Sequence, residues 1–389
     1  MNELPMKPQD MAEIIMKKIK EAKNSMIRFN LMILGKTGVG KSTLINNVFS
    51  EPLADIGVGK PVTSDIRKYE KDDFPLSIYD TPGLELSGEN AVDHLLSDIK
   101  KTVNDGFRTR DPSQAIHCIW YCVSTPSHRF EDAEKNFITR LAAETENMPI
   151  IVVLTQSYSK TDAKELKAEI EKENLPITQV VPILASNYDI DEEYVAKAFG
   201  LDKLIEVTNN AIPDAVKNTL TAVQKVNLKM KQAKAHIIVA ASATTAAATG
   251  AIPIPFSDAL LLVPEQVGML ASITAVFGLP IGKSAISAII SSTIGPVGAT
   301  VLGKTIVSGI FKMIPGAGSV AGGVISGSVA AAITAALGEA YVGMLSMIAT
   351  GEMKTEELDT LRGKKLMKRI FRDRLKVKRD AKGVPIENK

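Results

Sequence analysis

The most informative segment of this 389-residue sequence is Gly35-Lys-Thr-Gly-Val-Gly-Lys-Ser-Thr43. It follows a short apolar run, Ile27 to Leu34, that predicts a β-strand, and it leads into a predicted helix from Lys41 to about Phe49. The spacing Gly-x-x-x-x-Gly-Lys-Ser between a strand and a helix is typical of a phosphate-binding loop. Its glycines let backbone amides turn toward phosphate oxygens, and the new helix adds its positive N-terminus.

Several side chains of this loop have an expected role. Lys41 is expected to reach the β- and γ-phosphates of a nucleoside triphosphate and to act in catalysis. The Ser42 hydroxyl is expected to coordinate Mg²⁺, and the Thr43 hydroxyl is expected to donate to the α-phosphate. The nucleotide-binding residues predicted at this end are Gly35, Thr37, Gly38, Val39, Gly40, Lys41, Ser42 and Thr43.

Two later segments are expected to complete the phosphate end. Asp80-Thr-Pro-Gly83 follows a predicted strand, so the Asp80 carboxylate is expected to hold Mg²⁺ and the Gly83 amide to turn onto the γ-phosphate. Thr63, in Lys60-Pro-Val-Thr63, would bind Mg²⁺ only while a γ-phosphate is present, as in an order–disorder switch. The sequence thus predicts catalytic roles for Lys41, Thr63 and Gly83, and metal ligands at Ser42, Thr63 and Asp80.

Strand and helix patterns alternate over the first half of the chain. This alternation predicts an α/β fold with a doubly wound, mostly parallel sheet, followed by an apolar all-α domain. Strands are predicted at Leu76–Tyr79, Ala115–Val123, Ile150–Leu154 and Val180–Leu184, and helices at Asp132–Glu144 and Ala163–Asn174. We divide the chain into an N-terminal amphipathic helix (1–26), an α/β domain (27–205), a helical Ala/Gly-rich domain (206–350) and a basic tail (351–389).

The wording of these segments resembles one class of nucleotide-binding protein. Gly35-Lys-Thr-Gly-Val-Gly-Lys-Ser-Thr-Leu-Ile-Asn46, Pro61-Val-Thr63 and Tyr79-Asp-Thr-Pro-Gly-Leu84 resemble Era-like P-loop GTPases of the translation-factor superclass, and the loop is also similar to septins and immunity-related GTPases. Gly250–Asp258 and Ile314–Gly318 resemble a helical domain of unknown function that is fused behind such GTPases. The resemblance implies GTP and GDP as ligands, Mg²⁺ as cofactor and GTP hydrolysis as activity.

The segment expected to recognise the base departs from the family. The family motif is [Asn/Thr]-Lys-x-Asp, whose carboxylate accepts from guanine, whereas this chain has Thr155-Gln-Ser-Tyr158. Ser159-Lys-Thr-Asp162 has the right shape four residues later, so either Asp162 recognises guanine from a displaced loop or base selectivity is weak. The resemblance implies base contacts at Thr155, Gln156, Asp162, Ala185 and Ser186.

The residues expected to activate water also depart from one related group. Ras-like proteins place a water-orienting Gln where this chain has Leu84, so we expect slow intrinsic turnover. A second subunit could supply a charged group in trans through a homodimer of GTPase domains. Arg129 is one candidate for that group, and the alternative is that Arg129 is a surface loop residue.

The second half of the chain is apolar and ends in a basic tail. Residues 236–350 are nearly free of charge, and both a tight helical bundle and helix hairpins in lipid fit this composition. Arg362 to Lys382 carries 11 basic residues against Asp373 and Asp380, although the whole chain has a net charge of only +2. Such a tail fits an anionic membrane surface, or simply a solvated end. RNA is a less favoured partner, because aromatic residues are scarce in the tail.

The cysteine content and the N-terminus bear on location. Cys118 and Cys122 are expected to be buried, reduced thiols, and the Lys-rich first 25 residues lack the long apolar stretch of a signal peptide. We therefore expect a cytoplasmic GTP-binding switch or mechanochemical GTPase, with membrane association left open. The alternatives are a ribosome- or RNA-associated assembly GTPase and a nucleotide-binding scaffold of weak base selectivity.

Overall fold

The protein forms two compact units. The structure, a computed structural model, describes residues 8–51, 60–61, 63, 66–81, 89–146, 148–249, 254–255, 263–298, 324–325 and 327–376. Asn24–Asn227 forms the first unit, here called the α/β unit. Met1–Lys23 and Leu228–Lys389 together form the second, here called the helical unit. The α/β unit is therefore inserted between the first helix, α1 (Pro8–Asn24), and the rest of the helical unit.

The α/β unit contains a seven-stranded sheet in the order β2-β3-β4-β1-β5-β6-β7. The strands are β1 Phe29–Leu34, β2 Lys60–Pro61, β3 Arg67–Lys71, β4 Phe74–Asp80, β5 Cys118–Ser124, β6 Ile150–Thr155 and β7 Gln179–Pro182. Strands β4, β1, β5, β6 and β7 run parallel, and β2 and β3 add an antiparallel edge. This architecture confirms the predicted doubly wound, mostly parallel sheet.

Helices surround this sheet, which explains why its central strands are buried and mostly apolar. The helices are α2 Lys41–Val48, α3 Glu89–Arg108, α4 Asp132–Glu144, α5 Lys160–Lys172, α6 Leu201–Ala211 and α7 Asp214–Val223, and a ribbon is formed by β8 Tyr188–Asp189 and β9 Val195–Ala196. Every residue of β1 and β6 is buried, as expected for parallel strands covered on both faces.

Several elements of the α/β unit, among them β3 and α3, were not predicted from the sequence. Strand β3 has the sequence Arg67-Lys-Tyr-Glu-Lys71, and its two end residues are exposed. Four of its five residues are charged, so no apolar run marks it as a strand. Helix α3 is strongly amphipathic, and Leu95, Leu96 and Ile99 bury one face of it. β3 and α3 are close in sequence to Asp80-Thr-Pro-Gly83, and this motif is typical of a loop.

The two compact units meet in sequence at 227/228, whereas the sequence-based division is at 205/206. Helices α6 and α7 belong to the α/β unit because they pack on its sheet. The buried Trp120 indole of β5 donates to Thr208 Oγ1 of α6 over 3.1 Å, and Thr219 Oγ1 of α7 donates to the Ile27 carbonyl over 2.7 Å. The sequence pattern favours a long helix from Leu204 to Ala235 with a break near Pro213; the structure has that break, and a second one at residues 224–227.

The helical unit packs through small residues. Its elements are α8 Leu228–Thr249, β10 Ile254–Pro255, α9 Val263–Phe277, α10 Lys283–Gly298, β11 Val324–Ile325, α11 Gly327–Ala349 and α12 Leu361–Lys376. A Cβ at Gly338 of α11 would lie 2.6 Å from the Val239 side chain of α8 and 2.9 Å from Met269 Sδ of α9. These helices therefore approach too closely for any larger residue, and Ala12 and Ile15 of α1 are buried in the same core.

One described helical segment is long and apolar enough to cross a membrane. This segment is Ala330–Ala349 of α11, and 67% of it is buried inside the protein. A core helix passes the same test of length and composition, so the segment is weak evidence for a membrane span. The sequence also contains two uncharged stretches of 18 residues, Ile237–Ile254 and Val320–Leu337, of which residues 250–253, 320–323 and 326 lie outside the described residues.

Candidate nucleotide-binding site

The loop between β1 and α2 is fixed by a close backbone approach at its first residue. Gly35 has φ +143°, and a Cβ there would lie 2.5 Å from the Cys122 carbonyl oxygen of β5. Only glycine fits this position without displacing the neighbouring strand. The loop then turns into α2, whose Leu44 amide donates to the Gly40 carbonyl over 2.9 Å. The amides before Leu44 precede the first helical hydrogen bonds, as in an anion-binding helix start.

The Lys41 side chain folds back along this loop. Its Nζ donates to the Gly35 carbonyl over 2.8 Å and to the Lys36 carbonyl over 3.2 Å. The ammonium group thus lies against the loop, with its charge available to an anion that the loop holds. Lys36 points the other way and pairs with Glu131 over 3.1 Å and with Glu134 over 3.8 Å, so its charge is already partly neutralised.

Asp80 is the last residue of β4 and lies beside the end of β1. It pairs with Ile33 in the parallel register and with Arg67 of β3 in the antiparallel register. Burial raises the pKa of the Asp80 carboxyl, although the nearby charges of Lys41 and Arg67 lower it. Its Oδ1 atom is buried and has no hydrogen-bond partner among the described residues. A buried carboxylate oxygen without a partner is costly unless a cation or donor occupies the space beside it.

The unpartnered Asp80 oxygen fits a divalent cation at this place. Hard oxygen ligands suit Mg²⁺, which is usually held by one or two protein oxygens together with substrate phosphates and water. The described residues contain no cluster of three or more His, Cys, Asp or Glu side chains, so no all-protein metal cage is found among them. Ser42 is exposed at the start of α2 and Thr63 is half-buried. The predicted catalytic residue Gly83, and Leu84, lie outside the described residues.

The predicted base end is attached to the phosphate loop through Gln156. Its Nε2 donates to the Gly38 carbonyl over 3.1 Å, and its Oε1 accepts from Ser124 Oγ over 2.7 Å. Gln156 has a left-handed backbone conformation with φ +53°, which costs about 1 kcal/mol for a non-glycine residue. Thr155 is buried and donates to the Val123 carbonyl over 3.1 Å, so its hydroxyl is used inside the sheet.

Asp162 lies in the first turn of α5. Its amide donates to Ser159 Oγ, the cap of that helix, over 3.2 Å. Its carboxylate is 3.8 Å from His128 Nε2, in the loop after β5. Both contacts are those of an acidic residue in the first turn of a helix, where negative charge is favoured by the helix dipole. Ala185 is half-buried and Ser186 is exposed in the segment after β7.

Two tyrosines in this region form a contact that the sequence did not reveal. The rings of Tyr158, after β6, and Tyr188, in β8, have centroids 4.1 Å apart and are tilted by 38°. Tyr158 occupies the position at which the family motif has Asp, and this substitution was visible in the sequence. Tyr188 was missed because the two residues are 30 positions apart; its only signal was an aromatic residue in the polar stretch Ser186-Asn-Tyr-Asp.

The two cysteines are structural, as predicted. Cys118 and Cys122 are free and buried in β5, and no disulfide joins them. Burial raises the pKa of the Cys122 thiol to about 12 and that of Cys118 further, so neither is a thiolate at neutral pH.

Comparison with known proteins identifies both parts of the chain. Residues 30–156 match the family described as 50S ribosome-binding GTPase, and residues 215–372 match a domain of unknown function, DUF697. The fold and the phosphate loop thus define a P-loop GTPase domain, and this chain carries that domain followed by the C-terminal helical domain. The predicted P-loop GTPase domain followed by a helical domain of unknown function is confirmed.

Individual relatives match only part of this chain, at low sequence identity. Septin-9 of Rattus norvegicus is 26% identical over 154 residues, which cover 34% of this chain and 27% of the septin. The chain therefore matches about a quarter of the length of that relative. A structure of Era in complex with MgGDPNP and a 16S ribosomal RNA segment has 19% identity and a TM-score of 0.31, and it covers 56% of this chain and 67% of Era. Toc33 from Arabidopsis thaliana, in complex with Mg²⁺ and GMPPNP, has 18% identity and a TM-score of 0.31 and covers 56% of this chain and 94% of Toc33.

Proposed function

We propose that this protein binds GTP with Mg²⁺, hydrolyses it slowly, and uses its nucleotide state as a switch. The observation that carries the proposal is the phosphate loop with Lys41 folded along it, beside a buried Asp80 oxygen that no described residue satisfies. A nucleoside triphosphate with Mg²⁺ supplies both the anion for the loop and the cation for Asp80.

The roles at the phosphate end follow from charge and position. Backbone amides of the loop and the Lys41 ammonium bind the phosphate oxygens and withdraw negative charge from them. Ser42, Thr63 and Asp80 would hold Mg²⁺, which when bound would neutralise negative charge on the phosphates. The Gly83 amide is proposed to bind the γ-phosphate. Thr63 and Gly83 would change position between the triphosphate and diphosphate states, because both depend on the γ-phosphate.

Slow turnover follows from the residue after Gly83. The Leu84 side chain has no polar atom with which to orient water, and we propose that a second copy of the GTPase domain supplies a charged group. Arg129 is exposed in the loop after β5 and is the candidate that we favour for this role in a homodimer.

The contacts at the far end of α2 support a switch that reaches the helical unit. The Lys225 amide donates to the Val48 carbonyl and the Ser50 amide donates to the Val223 carbonyl, each over 2.9 Å. Lys225 Nζ also donates to the Asn46 carbonyl over 2.7 Å. The helix that begins at the phosphates thus ends on the segment that continues directly into α8, so a movement of α2 would be transmitted to that connection.

Nucleotide titration tests the central proposal. We expect the wild-type protein to bind a fluorescent GTP derivative with micromolar affinity in Mg²⁺, and to bind it at least tenfold more weakly in EDTA. Lys41→Ala should lose at least about 100-fold in affinity, since it removes the charge on the phosphates. Lys36→Ala is the matched control, because Lys36 pairs with Glu131 and Glu134 instead. Equal binding by Lys41→Ala and wild type would reject the proposed site.

The outer face of α12 favours membrane association as the place where the switch acts. Met367, Phe371 and Leu375 are buried against the helical unit. The exposed residues of the opposite face are mostly basic: Arg362, Lys365, Lys368, Arg369, Arg372 and Arg374. A basic, solvent-facing helix on an apolar unit suits anionic lipid headgroups, each basic residue near the surface contributing about 1 kcal/mol.

Vesicle sedimentation separates the membrane proposal from the alternative of an RNA-associated GTPase, which the ribosome-binding family description suggests. The protein should sediment with phosphatidylserine-containing vesicles more strongly in a non-hydrolysable GTP analogue than in GDP. Replacing Lys365, Lys368, Arg369 and Arg372 with Gln should abolish this sedimentation. Replacing Lys164 and Lys172 of α5 with Gln should not. Salt-sensitive retention of ribosomal RNA, lost in the same α12 variant without any vesicle binding, would favour the RNA alternative.

A further inference from the structure

We infer that Tyr158 and Tyr188 hold the nucleotide base by aromatic stacking, and that the site therefore accepts purine nucleoside triphosphates with little discrimination between them. This inference rests on the proposed nucleotide function and names the specificity-determining residues of the same site.

The strand order shows on which side of the phosphate loop the base must lie. The loop follows β1, and the proposed magnesium ligand Asp80 is the last residue of β4, on one side of β1. The γ-phosphate and Mg²⁺ belong together, so the α-phosphate, sugar and base extend toward the other side, where β5, β6 and β7 end. Tyr158 follows β6 and Tyr188 follows β7, and these neighbouring parallel strands end at the same edge of the sheet.

Hydrogen bonds connect these two segments to the phosphate loop and to each other. Gln156, two residues before Tyr158, donates to the Gly38 carbonyl of the loop over 3.1 Å. The Ser157 amide donates to the Ile183 carbonyl at the end of β7 over 3.1 Å, and the Tyr158 amide donates to the Gln156 carbonyl over 2.7 Å. The tyrosine pair is therefore joined through short, defined contacts to the residues that hold the phosphates.

The two rings offer an aromatic surface rather than a sealed core contact. Tyr158 is half-buried, whereas Tyr188 remains 48% exposed although the two ring centroids are 4.1 Å apart. An exposed tyrosine supported by a second ring is suited to stacking with a flat heterocycle, and such stacking tolerates any base because every base has a π-face. Burial raises the pKa of Tyr158, so its phenol is a neutral group at physiological pH.

A phenol cannot replace the carboxylate of the family motif. A carboxylate accepts two hydrogen bonds from guanine and repels the acceptor nitrogen of adenine, whereas a tyrosine hydroxyl both donates and accepts. Sites that discriminate strongly do so by leaving a buried polar group unpaired in the wrong complex. Stacking leaves no such penalty, so GTP, ITP and ATP should differ little in affinity. Asp162, the other candidate for base recognition, instead lies in the first turn of α5, with its carboxylate 3.8 Å from His128.

Competition titrations in Mg²⁺ with GTP, ITP, ATP and inorganic tripolyphosphate test the inference. The wild-type affinities for GTP, ITP and ATP should agree within about fivefold. Tyr158→Ala and Tyr188→Ala should each weaken all three nucleotides about tenfold, because a base–aromatic stack is lost. Tripolyphosphate has no base, so its affinity should stay unchanged in both variants. Tyr158→Phe and Tyr188→Phe keep the ring and should bind like wild type.

The outcomes separate this inference from the proposed function. GTP binding that the alanine variants leave unchanged, while Lys41→Ala abolishes it, would overturn the stacking role and leave the GTPase proposal standing. A preference for GTP over ITP above about 30-fold that Asp162→Ala removes would show that a carboxylate recognises the guanine amine, and would overturn the inference. Weaker tripolyphosphate binding in Tyr158→Ala would mean that the ring only maintains the fold. Failure of the wild-type protein to bind any of these ligands would overturn both proposals.

Discussion

The phosphate end and the base end of the site are built in different ways. At the phosphate end, one continuous loop of nine residues supplies the glycines, the Lys41 ammonium and the start of α2. At the base end, side chains come from two segments that are joined only in the folded chain, as the contact between Tyr158 and Tyr188 shows. Backbone amides and a glycine pattern leave little freedom for change. Separate side chains on loops can change without disturbing the sheet, and here they have departed from the family motif.

The largest effect is expected from a methyl group at the start of the phosphate loop. Gly35→Ala would place Cβ 2.5 Å from the Cys122 carbonyl, with φ at +143°. Because backbone must move on both strands, we expect the α/β unit to lose about 2–4 kcal/mol in stability and GTP binding to become undetectable. Thermal unfolding and GTP titration would measure these losses.

Gly38→Ala is the matched control within the same loop. Gly38 has φ +79°, but a Cβ there would meet no atom within 4 Å. The backbone conformation alone costs about 1–2 kcal/mol for a non-glycine residue, so this variant should fold and retain measurable affinity. If Gly35→Ala were no worse than Gly38→Ala, the close approach to β5 would not be what defines the phosphate end.

Asp80→Asn should separate binding from stability. Burial raises the pKa of Asp80, so the folded protein holds this proton to higher pH than the unfolded chain does. The unfolding free energy therefore falls as pH rises from the ordinary aspartate pKa to the raised one, and stays lower above it. Asn removes this penalty, and we expect the nucleotide-free variant to be more stable than wild type at pH 7 and to lose that pH slope.

The same variant should bind GTP more weakly by about 10–100-fold in Mg²⁺ and should respond little to EDTA, because the metal ligand is gone. Asp73→Asn, in the exposed turn before β4, is the control and should change neither property. A nucleotide-free Asp80→Asn protein that is less stable than wild type would show that the carboxylate supports the fold rather than awaiting a cation.

The sequence predicted locally defined elements well and elements defined by long-range pairing poorly. Helix α4 was predicted with its observed bounds, Asp132–Glu144, and β6 was predicted to within one residue, because a helical charge pattern and an unbroken apolar run each define an element locally. Strand β3 was missed because Arg67–Lys71 is charged and its pairing with β4 is a property of the sheet. The proposed phosphate ligands were likewise predicted from local spacing.

Long-range contacts account for what the sequence did not predict. The membership of α6 and α7 in the α/β unit depends on Trp120 and Thr208, which are 88 residues apart and meet only in the folded chain. The packing of α1 into the helical unit joins Ile15 to residues more than two hundred positions later. The role inferred for Tyr188 likewise depends on its contact with Tyr158, because Tyr158 lies after β6 and Tyr188 lies after β7. No periodicity within a segment reports such pairings.

A smaller effect is expected where the two ends of the site are joined. Gln156→Ala removes the donor to the Gly38 carbonyl and the acceptor for Ser124. Hydrogen bonds of this kind contribute about 0.5–1.5 kcal/mol, so nucleotide affinity should fall about 3–10-fold, equally for GTP and ATP. Gln156→Lys keeps a donor for Gly38 and should recover most of the affinity. An unchanged affinity in Gln156→Ala would mean that the two ends act independently.

The smallest effect is expected at Asp162, and it bears most directly on the contrast. If this carboxylate serves only the first turn of α5, Asp162→Ala should lower stability by about 0.3–1 kcal/mol and leave GTP affinity within twofold of wild type. Ser159→Ala, which removes the cap of the same helix, should cost about 1 kcal/mol and provides the scale for a purely structural change. A loss of GTP affinity in Asp162→Ala well beyond that in Ser159→Ala would show that the base end has kept the family's carboxylate chemistry in a displaced position. The base end would then differ from the family only in the position of its carboxylate. The contact between Tyr158 and Tyr188 would then be a structural contact rather than a binding surface for the base.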